Sequence, residues 1–254
     1  MRNKKRRLTL TGHLEELRYR LAICLAAFLF GFAISLTQAT RMIVWLRRPA
    51  EPYVTHFVFF SPTEGLMAYV KVAVLSALSL SLPVVLWQVW AFLRLGLTKR
   101  EKSYGGVFVG WGTVLFALGV AFAYGILLPA SLKVLLGIGN RLLQPVLSID
   151  QYLSFVITLT VWCGAIFELP VLLWFLAKIG IVTPEWLRQQ RPMAILGMAI
   201  ASGLLTPTTD PVNLILMMVP MVVLYEISIA LTAWGFQQAQ NRSRMPKNSS
   251  SLKA

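Results

Sequence analysis

Glu168 stands in one of the longest apolar runs of the chain, Val161 to Ile179 (VWCGAIFELPVLLWFLAKI), where an ionised carboxylate costs about 2.5 to 3.5 kcal/mol on insertion scales. A residue so placed faces protein, a water-filled cavity or a polar partner. It could relay protons, form half of a catalytic acid pair, or dock another chain. The pair fails on spacing: Glu226 lies near the end of a different run and Asp210 in a Pro-rich connection, neither at short range from another acid. His13 and His56 both fall outside the apolar runs, which leaves a serine-histidine protease, a zinc site and a bis-histidine haem without their ligands. Neither G-x-x-x-x-G-K-[ST] nor H-E-x-x-H occurs. Cys24 and Cys163 sit in different runs and read as small apolar packing, without a disulfide or metal framework. The residue chemistry argues against an enzyme and calls for no cofactor and no metal.

The elements that must position Glu168 are membrane spans. With 57% apolar and 13% charged residues over 254 positions and a mean hydropathy of +0.67, the chain departs far from the roughly 25% charge of soluble domains. Helical spans satisfy their own backbone hydrogen bonds in lipid, and runs of about 17 to 25 apolar residues mark them. Six are expected: Leu21–Gln38, Leu66–Leu93, Gly105–Leu128, Tyr152–Ile179, Met193–Leu205 and Val212–Trp234. The fifth covers only about 20 Å at 1.5 Å per residue, so with the sixth it forms a short hairpin across Thr206 to Pro211. Pro83, Pro170 and Pro220 fall inside spans and should bend them. The fold class expected is all-α, a concave six-helix membrane bundle forming one domain over residues 1–236.

Most of the 24 Lys and Arg residues flank one set of span ends, while Arg41, Arg47, Arg48, Lys71, Lys133 and Arg141 fall at the other. The asymmetry places both termini in the cytoplasm. A net charge of +14 is thereby explained by topology and anionic lipid, not by nucleic acid. The outside loops, Ala39 to Gly65 and Pro129 to Gln151, carry apolar patches at 42–46 and 134–138 that short interfacial helices would bury. The segment 95–104 reads as a tight basic turn, and the polar residues 237–254 as a disordered tail.

Before the first span, TGHLEELRYRL repeats apolar residues at helical spacing over about residues 9–20. Its acids either pair with Arg18 and Arg20 in an interfacial anchor or face a cationic ligand. HLEELRYRL resembles the H-L-x-E-L-R segment of the TatC family, the multispanning subunit of the twin-arginine translocase. The family's other blocks follow in order: SPTEGL (61–66), PVVLWQVWAF (83–92), Glu101, AFAYGILLP (121–129), YLSF (152–155), FELP (167–170), GIVTPEWLRQQRP (180–192), LTPTTDP (205–211) and LYEISI (224–229). The resemblance covers about residues 10–235.

It implies a receptor in a prokaryotic cytoplasmic (inner) membrane, or a thylakoid membrane, for signal peptides with a consecutive arginine pair, exporting folded proteins on the proton-motive force. Glu16, Arg18, Phe92 and Glu101 take the positions of the family's recognition patch. A carboxylate can accept the planar guanidinium fork through two oxygens, whereas lysine offers a point charge, so paired acids can tell RR from KK. Exposed ion pairs contribute only about 0 to 1 kcal/mol each, so the signal's apolar stretch should add contacts near Phe92, Trp87, Gln88 and Trp90. Trp87 and Trp90 also suit an interfacial aromatic belt. Pro49, Glu168 with Pro170, Asp210 and Glu226 align with further positions of interest, Glu168 facing a polar residue of small single-span partners of the TatA/TatB type. Structural roles compete for three of them: Pro49 shaping a loop, Asp210 capping a helix, Glu226 reaching the interface. Self-association is expected as well. Leu95-Gly96-Leu97 and Asn213 depart from the family pattern. The rivals are a proton-coupled solute transporter with Glu168 as relay, and a scaffold subunit of a respiratory complex.

Overall fold

No proline interrupts the chain between Leu10 and Arg47, and the backbone there forms a single 38-residue helix, α1 (Leu10–Arg47). The computed structural model describes residues 10–54, 56–94, 102, 105–137, 146–205 and 211–244. The chain divides into two compact units, Met1–Gly164 and Ala165–Ala254.

In the first unit α1 runs through the amphipathic segment, the first span and the apolar patch at 42–46, so that patch extends the span and is not a separate interfacial helix. Pro49 ends the run within a tight turn, Arg48–Ala50, because its ring fixes φ and removes a backbone donor. Helix α2 (Glu64–Leu93) places Glu64 in its first turn, where the helix dipole favours an acid, and accommodates Pro83 without ending. Close approach of α1 to α2 depends on Gly31, where a Cβ would meet the Ala77 carbonyl at 3.4 Å.

Helix α3 (Gly105–Phe122) passes through one wide π turn, Ala123–Leu127, into α4 (Leu128–Gly137). Pro129 was expected to open a loop, but the helix continues through it to Gly137. The wide turn just upstream re-spaces the backbone bonds where proline offers no donor. Two-residue strands β1 (Phe57–Val58) and β2 (Leu147–Ser148) pair in parallel, Phe57 opposite Leu147. That pairing aside, the described residues in regular structure are helical.

The long fourth span breaks at Glu168, between α5 (Ile149–Phe167) and α6 (Leu169–Lys178). Pro170 has no N–H for the Ile166 carbonyl, and the Glu168 N–H instead closes a tight turn on Ala165 at 3.2 Å. In the second unit Gly180 adopts φ +77° just after α6, a left-handed geometry suited to glycine at a helix end. The Thr183 hydroxyl accepts from the Trp186 N–H at 3.2 Å and caps α7 (Pro184–Gln189). Val182, Leu187 and Ile229 form a small core with Leu173, Leu176 and Tyr225, seating α7 on α9 (Pro211–Arg244). The last helix passes Pro220 and continues to Arg244, into the polar segment expected as tail, since propagating a helix is cheaper than starting one.

Among the described residues five stretches are long and apolar enough to cross a membrane: Leu14–Ala50, Glu64–Leu93, Gly105–Gly137, Ile149–Lys178 and Leu214–Gly235. A further apolar helix, α8 (Arg191–Leu205), has 15 residues. Its shortness agrees with the short fifth segment read from the sequence.

Candidate functional site

Glu16 and Arg20 lie one helical turn apart on α1 and so share a face. The Arg20 Nη2 donates to Glu16 Oε1, and Nη1 donates across to Gln88 Oε1 on α2 at 3.1 Å. One guanidinium therefore ties the first turns of α1 to the last turns of α2. The Arg20 side chain is 13% exposed and that of Glu16 35%, which leaves the carboxylate within reach of solvent while the arginine is enclosed.

Phe92 follows Gln88 by one turn and is half-buried, so an apolar ring and an amide line the same side of α2. Arg18, two residues from Glu16, is exposed and points away from that face, as i,i+2 spacing requires. Glu101 lies outside the described residues, as does Asp210.

Trp87 is 48% exposed, but Trp90 is 2% exposed, which corrects its reading as a belt or signal-contact residue. Its indole packs against Phe108 with ring centroids 5.6 Å apart and covers the spot where a Gly105 Cβ would sit. Trp90 is core between α2 and α3.

Glu168 occupies the break between α5 and α6, and its Oε1 is buried with no hydrogen-bond partner among the described residues. Pro170 beside it is fully buried. Glu226 does not stand alone as an interfacial acid: Arg191 Nη2 donates to its Oε2 at 2.6 Å, with both side chains close to half exposed. The pair closes the start of α8 onto α9, and the Tyr225 hydroxyl donates to the Leu187 carbonyl at 2.9 Å beside it. Pro49 is half-buried in its turn.

A second polar cluster escaped the sequence reading. Lys71 donates to Asp150 at 2.5 Å and to the Ser154 hydroxyl at 2.7 Å, and Ser148 donates to Glu64 at 2.7 Å. These bonds pin the start of α5 to the start of α2. The available signal was a lysine just inside one apolar run and an aspartate just before another. Nearby, the Tyr152 hydroxyl donates to the Leu46 carbonyl and the Tyr124 hydroxyl to that of Trp45, each at 2.7 Å. Among the described residues no group of three His, Cys, Asp or Glu is placed to hold a metal ion.

Residues 12–220 match the family described as Sec-independent protein translocase protein (TatC). The chain is 39% identical over 229 residues to the Sec-independent protein translocase protein TatC of Aquifex aeolicus (strain VF5), covering 88% of this chain and 94% of that protein. It is 32% identical over 251 residues to the protein TatCy of Bacillus subtilis (strain 168), covering 98% of each. Its fold is similar to a crystal structure described as Twin Arginine Translocase Receptor- TatC, with a TM-score of 0.79 at 37% identity over 88% of this chain and 99% of that one.

Proposed function

We propose, because this chain belongs to the TatC family of Sec-independent protein translocase proteins, that it is the receptor subunit of a twin-arginine translocase, reading paired arginines in signal peptides. The single observation that carries the reading is the Glu16 carboxylate at the end of α1, partly exposed and held by an enclosed arginine beside Gln88. A carboxylate in fixed orientation can accept two parallel guanidinium N–H bonds, and an ammonium cannot supply them in that geometry. Glu101, which the family resemblance assigns to the same patch, provides the second acceptor. Phe92, one turn beyond Gln88, offers apolar contact to the peptide segment after the arginines.

Glu168 is the docking point for a polar side chain of a small single-span partner subunit. Its buried oxygen without a partner among the described residues is what such contact would satisfy, since leaving it unpaired costs about 1 to 3 kcal/mol. In this reading the chain crosses the membrane six times, with both termini in the cytoplasm of a prokaryotic cell and export driven by the proton-motive force; the five long apolar stretches and the short apolar helix α8 support the count. The proton-transporter rival draws no support from family membership.

Export of a folded reporter tests the function in cells that depend on this chain. A signal with RR should export the reporter, and its KK counterpart should leave it inside; equal export of both would refute arginine-pair recognition.

A further inference from the structure

We infer that Arg20 is a positioning residue for the arginine-reading carboxylate: it fixes the orientation of Glu16 against α2 so that an incoming guanidinium meets a single acceptor geometry. The inference deepens the reading of Glu16 given above and rests on it. The Arg20 fork spans two helices, one nitrogen on Glu16 of α1 and another on Gln88 of α2. Lysine, with one compact charge, could not hold both partners in a plane. Among the described residues Glu16 accepts a single donor, on Oε1, so Oε2 and the second lone pair of Oε1 are left to accept a guanidinium fork from outside. A free glutamate would lose side-chain rotamer entropy when it bound a peptide; a glutamate already held loses less, and that difference favours the bound state.

The competing idea is that Arg20 is a stand-in, occupying Glu16 until a signal arginine displaces it. Burial decides between the two. Arg20 is enclosed to 13% exposure, less than the 35% of Glu16, its Nε is buried as well, and a second residue anchors it. A group that must swing out on each binding event would be singly held and more exposed than its partner. Arg20 is the reverse.

The test uses the full-length chain in lipid nanodiscs and two fluorescent synthetic peptides that differ only in carrying RR or KK before the same apolar stretch. Arg20→Gln should lower RR affinity about tenfold, the scale of one charge-assisted hydrogen bond, and bring the RR to KK affinity ratio towards one. Arg20→Lys keeps the charge but not the fork, so it should recover only part of the ratio; Gln88→Leu should give a smaller loss in the same direction. Unchanged RR binding in Arg20→Gln would overturn the inference, and tighter binding would establish the stand-in instead. Equal weakening of RR and KK would also overturn it, because general disruption of the α1–α2 contact has no reason to discriminate. If Arg20→Gln fails to accumulate, Arg20→Lys carries the test, and a fully retained ratio in that variant overturns the inference. A Glu16→Ala arm separates the two levels. RR binding that survives Glu16→Ala would sink the arginine-reading function itself, whereas loss in Glu16→Ala without loss in Arg20→Gln removes only the positioning role.

Discussion

Glu16 and Glu168 are the same side chain in opposite circumstances. The first is half-exposed and held by an arginine; the second has a buried oxygen with no partner among the described residues. Their responses to substitution should differ accordingly. Glu168→Gln keeps hydrogen-bonding capacity and Glu168→Leu removes it, so if docking is by hydrogen bond, crosslinking of the single-span partner near this site should fall several-fold further in Glu168→Leu. Identical severe loss in both would point to charge or proton transfer. The Arg191–Glu226 pair makes a smaller prediction, because both side chains are near half exposure. Glu226→Gln should cost about 0 to 1 kcal/mol of stability in detergent, and the charge-swapped Arg191→Glu/Glu226→Arg variant should regain part of it. A loss of several kcal/mol would mean the pair is not surface electrostatics. The buried carboxylate of Glu168 was legible from residue type and local pattern, because a charge in an apolar run needs no fold to be conspicuous; the recognition candidates came instead from the family resemblance. The Lys71–Asp150 bond was not, since its partners lie 79 residues apart and each alone reads as a charge at a span end.

Helix boundaries show where sequence patterning stops being informative. Apolar runs report where lipid or core begins and ends, whereas the backbone continues until something stops it; α1 accordingly passes its apolar boundary and halts at the Arg48–Ala50 turn containing Pro49. The same logic carries α9 past its apolar segment to Arg244. Trp90 was misread for a different reason: whether a tryptophan at a span end is belt or core depends on what faces it, here a glycine on the next helix. Gly105→Ala should force its new methyl into the Trp90 ring and destabilise the α2–α3 contact by about 1 to 3 kcal/mol, measured as a lower unfolding midpoint in detergent. Gly164→Ala, whose Cβ would sit 2.5 Å from Phe116, should behave alike. Gly110→Ala, with open space around it, is the internal control, and equal destabilisation there would discredit the packing argument. Pro83 and Pro220 lie inside continuous helices while Pro170 adjoins a break; the residue type foretold a perturbation, and only the surrounding turn determined its size.

Across the whole molecule, the apolar surface exceeds what the chain buries by itself. Only 11% of the most apolar window of the first span is buried, against 44% for the span built from α5 and α6, so the remainder must meet lipid or other chains. The proposed six-span organisation with both termini inside was read from the apolar runs and the charge pattern, and it makes a direct prediction for intact cells. A membrane-impermeant maleimide should label Ser61→Cys from outside and reach Ser103→Cys only after lysis; the opposite pattern would invert the topology and place the carboxylate patch where no cytoplasmic signal could meet it. With that orientation the central claim reduces to one property, discrimination of paired arginine from paired lysine by Glu16 and Glu101. Its most direct test is binding of matched RR and KK signal peptides to the full-length chain and to its Glu16→Ala/Glu101→Ala variant in nanodiscs. The unaltered chain should prefer RR by about tenfold or more, and the double variant, still inserted in the membrane, should lose that preference. Equal binding of both peptides by the unaltered chain, or an undiminished preference in the double variant, would contradict it.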